Sequence, residues 1–164
     1  MGGPLRIVSA QSGADDYGGA DVPERLGEAV WEGDLSGQGK VSLGSGAFSG
    51  PYSAKSRFED EEGTLGTNPE ELIGAAHAAC YSMALSVGLS RAGHVPTRVH
   101  TKASVRLERL DSGFAITRID LRTEAEVPGI SQEDFAVEAA SAKANCPVSK
   151  ALAGTEITLE ATLV

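Results

Sequence analysis

The most regular feature of the chain is a charge-free run from Leu72 to Ser90, bounded by Asn68-Pro69-Glu70-Glu71 on one side and Arg91 on the other. Asn68 suits a helix N-cap, Pro69 the first helical position, the two glutamates the positive end of the helix dipole, and Gly93 the stop. The run therefore predicts a long helix with Cys80 at its middle. Its residues are apolar or small on every side, so the expectation is a helix buried on every face, with the rest of the chain wrapped around it. Such a length would nearly cross a bilayer. Ala, Gly and Ser predominate, however, His77 interrupts the run and the glutamates abut it, which points to the core of a soluble domain rather than a membrane span.

Elsewhere the period is two. Gly27 to Leu35, with Ala29 and Trp31 on one face, predicts a first strand, Val41 and Leu43 a second, and Tyr52 to Glu59, after the Gly50-Pro51 turn, a third. Arg57 is thus expected near the end of a strand, just before the acidic loop Glu59-Asp60-Glu61-Glu62. Beyond Gly93, Val99, Thr101, Ala103, Val105 and Leu107 alternate with Arg98, His100, Lys102, Ser104 and Arg106, a strand with one wet and one buried face. Asp111-Ser112-Gly113 predicts a hairpin into a strand from Phe114 to Val127. Phe114 and Ile116 share one parity there and Ile119 and Leu121 the other, which predicts a bulge between them. Ser131 to Asp134 has the form of a capping box opening a second helix through Phe135, Ala139 and Ala142 to Asn145. Pro147 starts a short third helix, leaving Cys146 near its N-cap, and Glu156 to Leu163 closes the chain as an alternating strand. Strands and helices are segregated, which predicts an α+β domain built on antiparallel sheet.

Composition narrows the reading. The 164 residues suit one domain, assigned to 23–164, preceded by a Gly- and Asp-rich arm over residues 1–22 that shows no sustained period. Fourteen basic against 23 acidic residues give a net charge of −9 with no basic run, which makes nucleic acid an unfit partner. Arg6 is followed by no apolar signal-peptide region, so the cytoplasm is the expected compartment. Two cysteines in a reducing compartment are too few for a thiolate-only zinc site and default to buried bystanders or a redox pair.

A thiol attacks only as thiolate, and a cation or a helix N-terminus favours that form. Cys80 lies about 15 Å along the axis from its helix start at ~1.5 Å per residue, so its own dipole offers little and a cationic side chain must come from elsewhere. Cys146, at a helix start, has the better local dipole. His77, three residues before Cys80, could supply half a metal site, but no second close ligand pair accompanies it; His94 and His100 are isolated, and no metal or cofactor is expected. The plain alternative is that Cys80 is a small buried hydrophobe and Cys146 a chance cap.

Two segments carry a resemblance. Gly66-Thr67-Asn68-Pro69-Glu70-Glu71-Leu72-Ile73-Gly74-Ala75-Ala76-His77-Ala78-Ala79-Cys80 and Asn145-Cys146-Pro147-Val148-Ser149 resemble the signatures of the OsmC/Ohr family, the osmotically inducible and organic hydroperoxide resistance proteins. Trp31-Glu32-Gly33-Asp34, Arg57-Phe58-Glu59, Gly113-Phe114-Ala115-Ile116-Thr117 and Val127-Pro128-Gly129-Ile130 resemble the OsmC branch. The resemblance implies an OsmC-like α+β fold, with antiparallel sheets wrapped around long central helices in an intertwined homodimer. It also implies a thiol peroxidase in which Cys80 attacks the peroxide and becomes a sulfenic acid, Cys146 condenses with it to a disulfide, and Arg57 and Glu70 form the activating pair. A dithiol, the lipoyl type of the Ohr branch being one candidate, would reduce the disulfide. Ten residues separate Glu70 from Cys80 on one helix, so the two cannot share a site within a chain; antiparallel pairing of two helices would bring each Glu70 to the other copy's Cys80. Tyr81, Met83 and Phe58 are expected beside Cys80, favouring organic hydroperoxides over hydrogen peroxide. The competing reading is a non-catalytic dimeric module holding a small apolar ligand at its interface.

Overall fold

The computed structural model describes residues 22–164, so the expected arm, apart from Val22, lies outside the described residues. In chain order the elements are β1 (Gly27–Glu32), β2 (Gln38–Leu43), β3 (Ser49–Ser53), α1 (Ala54–Phe58), α2 (Pro69–Arg91), β4 (Arg98–Leu110), β5 (Gly113–Glu126), α3 (Gln132–Asn145), α4 (Pro147–Ala151) and β6 (Glu156–Leu163).

Local chemistry accounts for the ends of α2. The Asn68 side chain accepts the Glu71 N–H at 2.9 Å. At the far end Gly93 takes φ +89°, and the N–H groups of Gly93 and His94 return to the carbonyls of Ser90 and Leu89. That is a Schellman stop, and a side chain at Gly93 would strain it. Along the helix Gly74, His77, Tyr81, Leu85 and Leu89 form the buried stripe, packed against β4, α3 and α4. Gly74 allows the closest approach: a Cβ there would stand 3.1 Å from the Ala103 carbonyl oxygen of β4. The opposite stripe, Ala75, Ala76, Ala79 and Met83, is exposed. The expectation of a helix buried on every face is therefore corrected: one chain covers one face only.

β4, β5 and β6 form one sheet with β5 in the centre, and β4 shows the expected alternation of half-buried and exposed residues. The bulge falls where the parity change places it: Arg106 pairs with Arg118 and Leu107 with Ile116, leaving Thr117 as the extra residue. One expectation fails. β6 runs parallel to β5, so this sheet is mixed rather than antiparallel. The hairpin at Asp111 reverses the chain, but the α3–α4 crossover carries it back to the starting end, and the next strand must run the same way. Leu121 and Ala125 of β5 join Tyr81, Leu85, Leu89 and Phe135 in the core, all of them fully buried, and Ile119 of the same strand is fully buried as well.

β1, β2 and β3 form a separate antiparallel meander in which no residue is buried. It joins the rest through α1 and the Tyr52–Thr67 bridge. The third strand is shorter than expected. Ser53 and Ser56 cap each other reciprocally, Ser56 N–H to Ser53 Oγ at 3.0 Å and Ser53 N–H to Ser56 Oγ at 2.9 Å. This box starts a helical turn, so Arg57 rides on α1 and not on a strand end.

Candidate active site

Cys80 sits half-buried at the middle of α2, and Cys146, fully buried, is the N-cap of α4; both thiols are free. The crossover that sets the direction of β6 also lays α4 on α2, and it brings the Cys146 side chain within hydrogen-bonding reach of Cys80. The Val148 N–H, in the first turn of α4, lies near enough to the Cys80 sulfur to lower its pKa. Cys146 itself makes no side-chain cap bond. The helix-start donor expected to favour Cys146 is thus delivered to Cys80. Burial pushes the Cys80 thiol up from its ordinary value, the Val148 N–H draws it down, and the Cys146 side chain raises it again, for a net rise. A cation is still needed to make the thiolate at neutral pH.

Cys80 opens on a groove of about 500 Å³ whose wall includes Met83, Ala84 and Val87, with Arg91, Glu138 and Lys150 at its edge. The expectation for Met83 holds, whereas Tyr81 does not line the groove: it is fully buried in the core, and its hydroxyl donates to the Ala139 carbonyl at 3.4 Å. Phe58 lies elsewhere, stacked on Phe114 at 5.1 Å and under the Arg57 guanidinium at 5.2 Å.

Arg57 and Glu70 meet in the same chain. Arg57 Nη2 donates to Glu70 Oε1 at 2.7 Å and Nε to Oε2 at 3.1 Å, a two-pronged ion pair that fixes the guanidinium plane. Its groove is lined by Asn68, Glu71, Ala103 and Val105 and does not include Cys80. At ~1.5 Å per residue the pair stands about 15 Å along α2 from the cysteine. The structure therefore assembles the two sulfurs and assembles the ion pair, but keeps the two sets apart within a chain.

His77 is fully buried, its Nε2 2.8 Å from Ser149 Oγ, and its Nδ1 has no hydrogen-bond partner. Burial lowers its pKa and holds the ring neutral. Among the described residues no group of three or more His, Cys, Asp or Glu is placed to hold an ion. Sequence reasoning missed the Val148 N–H and the His77–Ser149 bond. Val148 and Ser149 stand in the Cys146 signature, but only packing shows what they touch.

A dithiol pair held between a central helix and a βα crossover defines the class: a redox-type α+β domain of OsmC-like fold. The family model described as OsmC-like protein matches residues 60–161, and the chain is 53% identical over 138 residues to Peroxiredoxin OsmC of Escherichia coli K12, covering 83% of this chain and 94% of that protein. Similarity to the organic hydroperoxide resistance protein OhrA of Bacillus subtilis is weaker, 33% over 96 residues, or 57% of this chain and 66% of that one. Among solved structures, an OsmC-like protein from Mycoplasma pneumoniae superposes with a TM-score of 0.70 at 17% identity, covering 87% of this chain and 98% of that one. The chain belongs to the OsmC family, in the OsmC branch of the OsmC/Ohr group.

Proposed function

We propose that this cysteine-based peroxidase reduces organic hydroperoxides in preference to hydrogen peroxide, with Cys80 as the attacking and Cys146 as the resolving residue. The carrying observation is a free, half-buried Cys80 packed against the cluster that holds the free, fully buried Cys146, with the Val148 N–H near enough to the first sulfur to lower its pKa. The Cys80 thiolate attacks the distal peroxide oxygen; the S–O bond forms as the O–O bond breaks, and the alkoxide leaves and takes a proton to become an alcohol. The Cys146 thiol then displaces water from the sulfenic acid, forming the disulfide. A dithiol reductant reopens it and leaves oxidised. The apolar wall of the groove at Cys80, formed by Met83, Ala84 and Val87, supports the organic substrate, and the cytoplasm, where thiol pools stay reduced, fits the cycle.

Arg91 and Lys150 stand on the groove itself, and the cation that activates the sulfur, Arg57, we place across a homodimer. The apolar stripe Ala75, Ala76, Ala79 and Met83 is left open by the chain, as is the β1–β3 sheet. A two-fold axis near Ala75 would set residues equally spaced on either side of it face to face, so that Glu70, with its bound Arg57, falls beside Cys80 of the partner subunit. Arg57 then favours the thiolate and polarises the peroxide, while Glu70 orients it.

Thiol counting tests the cycle. One equivalent of cumene hydroperoxide should consume two thiols per chain and link Cys80 to Cys146; in Cys146→Ser a single burst of peroxide loss should be followed by arrest. Free thiols after that treatment would remove the reading, and a strong preference for hydrogen peroxide in side-by-side kinetics would remove the substrate assignment.

A further inference from the structure

Peroxide attack depends on Cys80 and its activators, but closure of the disulfide depends on where Cys146 is held, and polar bonds from α2 reach both helices that flank it. His77 and Tyr81 stand four residues apart on the buried stripe of α2, to either side of Cys80 in sequence. His77 Nε2 bonds Ser149 Oγ of α4, and the Tyr81 hydroxyl bonds the Ala139 carbonyl of α3. Cys146 lies at the junction of α3 and α4. The junction is thus fastened to α2 on both sides, by one polar bond to each helix. His77 is also unusually placed for a residue of packing alone: it is fully buried, yet Nδ1 finds no partner, so an apolar side chain of similar size would leave no polar atom stranded.

We propose that His77 and Ser149 are positioning residues for the resolving step, holding Cys146 at the distance and angle from which its sulfur displaces water from the Cys80 sulfenic acid. The inference rests on the peroxidase reading above. The step it controls forms the S–S bond, breaks the S–OH bond and releases one water, with no outside electron donor; peroxide attack, which precedes it, needs neither residue. Tyr81 fastens the other side but also fills the core, so His77–Ser149 is the separable part.

The test is single-turnover kinetics on the full chain with cumene hydroperoxide, comparing wild type with Ser149→Ala, Ser149→Thr and His77→Gln. In Ser149→Ala the sulfenic acid, trapped with dimedone, should live at least tenfold longer and accumulate, with the second-order rate constant for peroxide loss within about twofold of wild type. Ser149→Thr keeps the hydroxyl and should restore rapid closure, and His77→Gln, which offers a polar group near the Nε2 position, should fall between. Matching circular dichroism and thermal midpoints separate mispositioning from unfolding. Wild-type closure in Ser149→Ala, or attack and closure slowed equally, would overturn the assignment. Failure of wild type itself to form any sulfenic acid or disulfide would instead sink the peroxidase reading.

Discussion

The two sheets of this molecule behave oppositely. β4–β5–β6 lies against α2 and α3 and places Ile119, Leu121 and Ala125 out of solvent, whereas β1–β2–β3 buries no residue and leaves Val30 52% and Leu43 42% exposed. At roughly 1.5–3 kcal/mol for each large side chain fully buried, the first half carries the stability of the chain and the second contributes almost nothing to it. A small three-stranded sheet without a hydrophobic cover is marginal in water. Both sulfurs lie in the stable half, and the uncovered half leads into α1 and the guanidinium that the proposed mechanism brings to them.

The sharpest way to break this comparison is Ala76→Glu, which puts a charge on the uncovered stripe of α2. A carboxylate buried in an apolar contact is strongly disfavoured, so light scattering should report monomer and peroxidase activity should fall at least 100-fold. Amide exchange should then show β1–β3 opening while β4–β6 stays protected. An active monomer with a protected β1–β3 sheet would refute both the cover and the shared site. Next in size, Arg57→Met should slow peroxide attack about 100-fold, close to 2.7 kcal/mol at 1.36 kcal/mol per tenfold. Its pH–rate profile should move to the alkaline side, because burial already pushes the Cys80 thiol up. Melting should hardly move, since the ion pair is part-exposed, at 33% and 11% for the two side chains, and pairs of that kind are worth up to about 1 kcal/mol.

The smallest effect belongs to the stable half alone. Burial lowers the His77 pKa below its ordinary 6.5, so the unfolded chain takes up a proton there before the folded one does. Stability is then full above about pH 6.5 and is lost as the pH falls from there toward the lower folded value. Denaturant titrations at about pH 7.5 and 5.5 should show this loss in wild type and a shallower one in His77→Gln. An equal loss in both would assign the acid sensitivity to other groups.

Much of the stable half was legible in the residue order. Asn68, Pro69 and Gly93 mark both ends of α2, the parity change between Ile116 and Ile119 marks the bulge, and Ser131 marks the start of α3. The errors have one kind of cause. The strand expected over Tyr52 to Glu59 after the Gly50-Pro51 turn stops at Ser53, because the Ser53–Ser56 capping box starts a helical turn there. Tyr81 was put beside the substrate because it follows Cys80, although one residue turns the helix by 100° and sends it into the core. Glu70 and the two cysteines were legible through the two signature segments and Arg57 through the separate Arg57-Phe58-Glu59 match, but the donor to Cys80 was not, because Val148 and Cys80 are 68 positions apart.

The residue order by itself determined the caps, the helix and strand periods and the identity of the two sulfurs, because each of these depends on neighbours within about four residues along the chain. The tertiary structure decided that β6 runs parallel to β5, that α4 brings the Val148 N–H to Cys80, that Arg57 closes on Glu70, and that one face of α2 is left exposed. Those four outcomes depend on where the α3–α4 crossover returns the chain and on how far apart a rigid helix holds its ends, and no local pattern carries either distance.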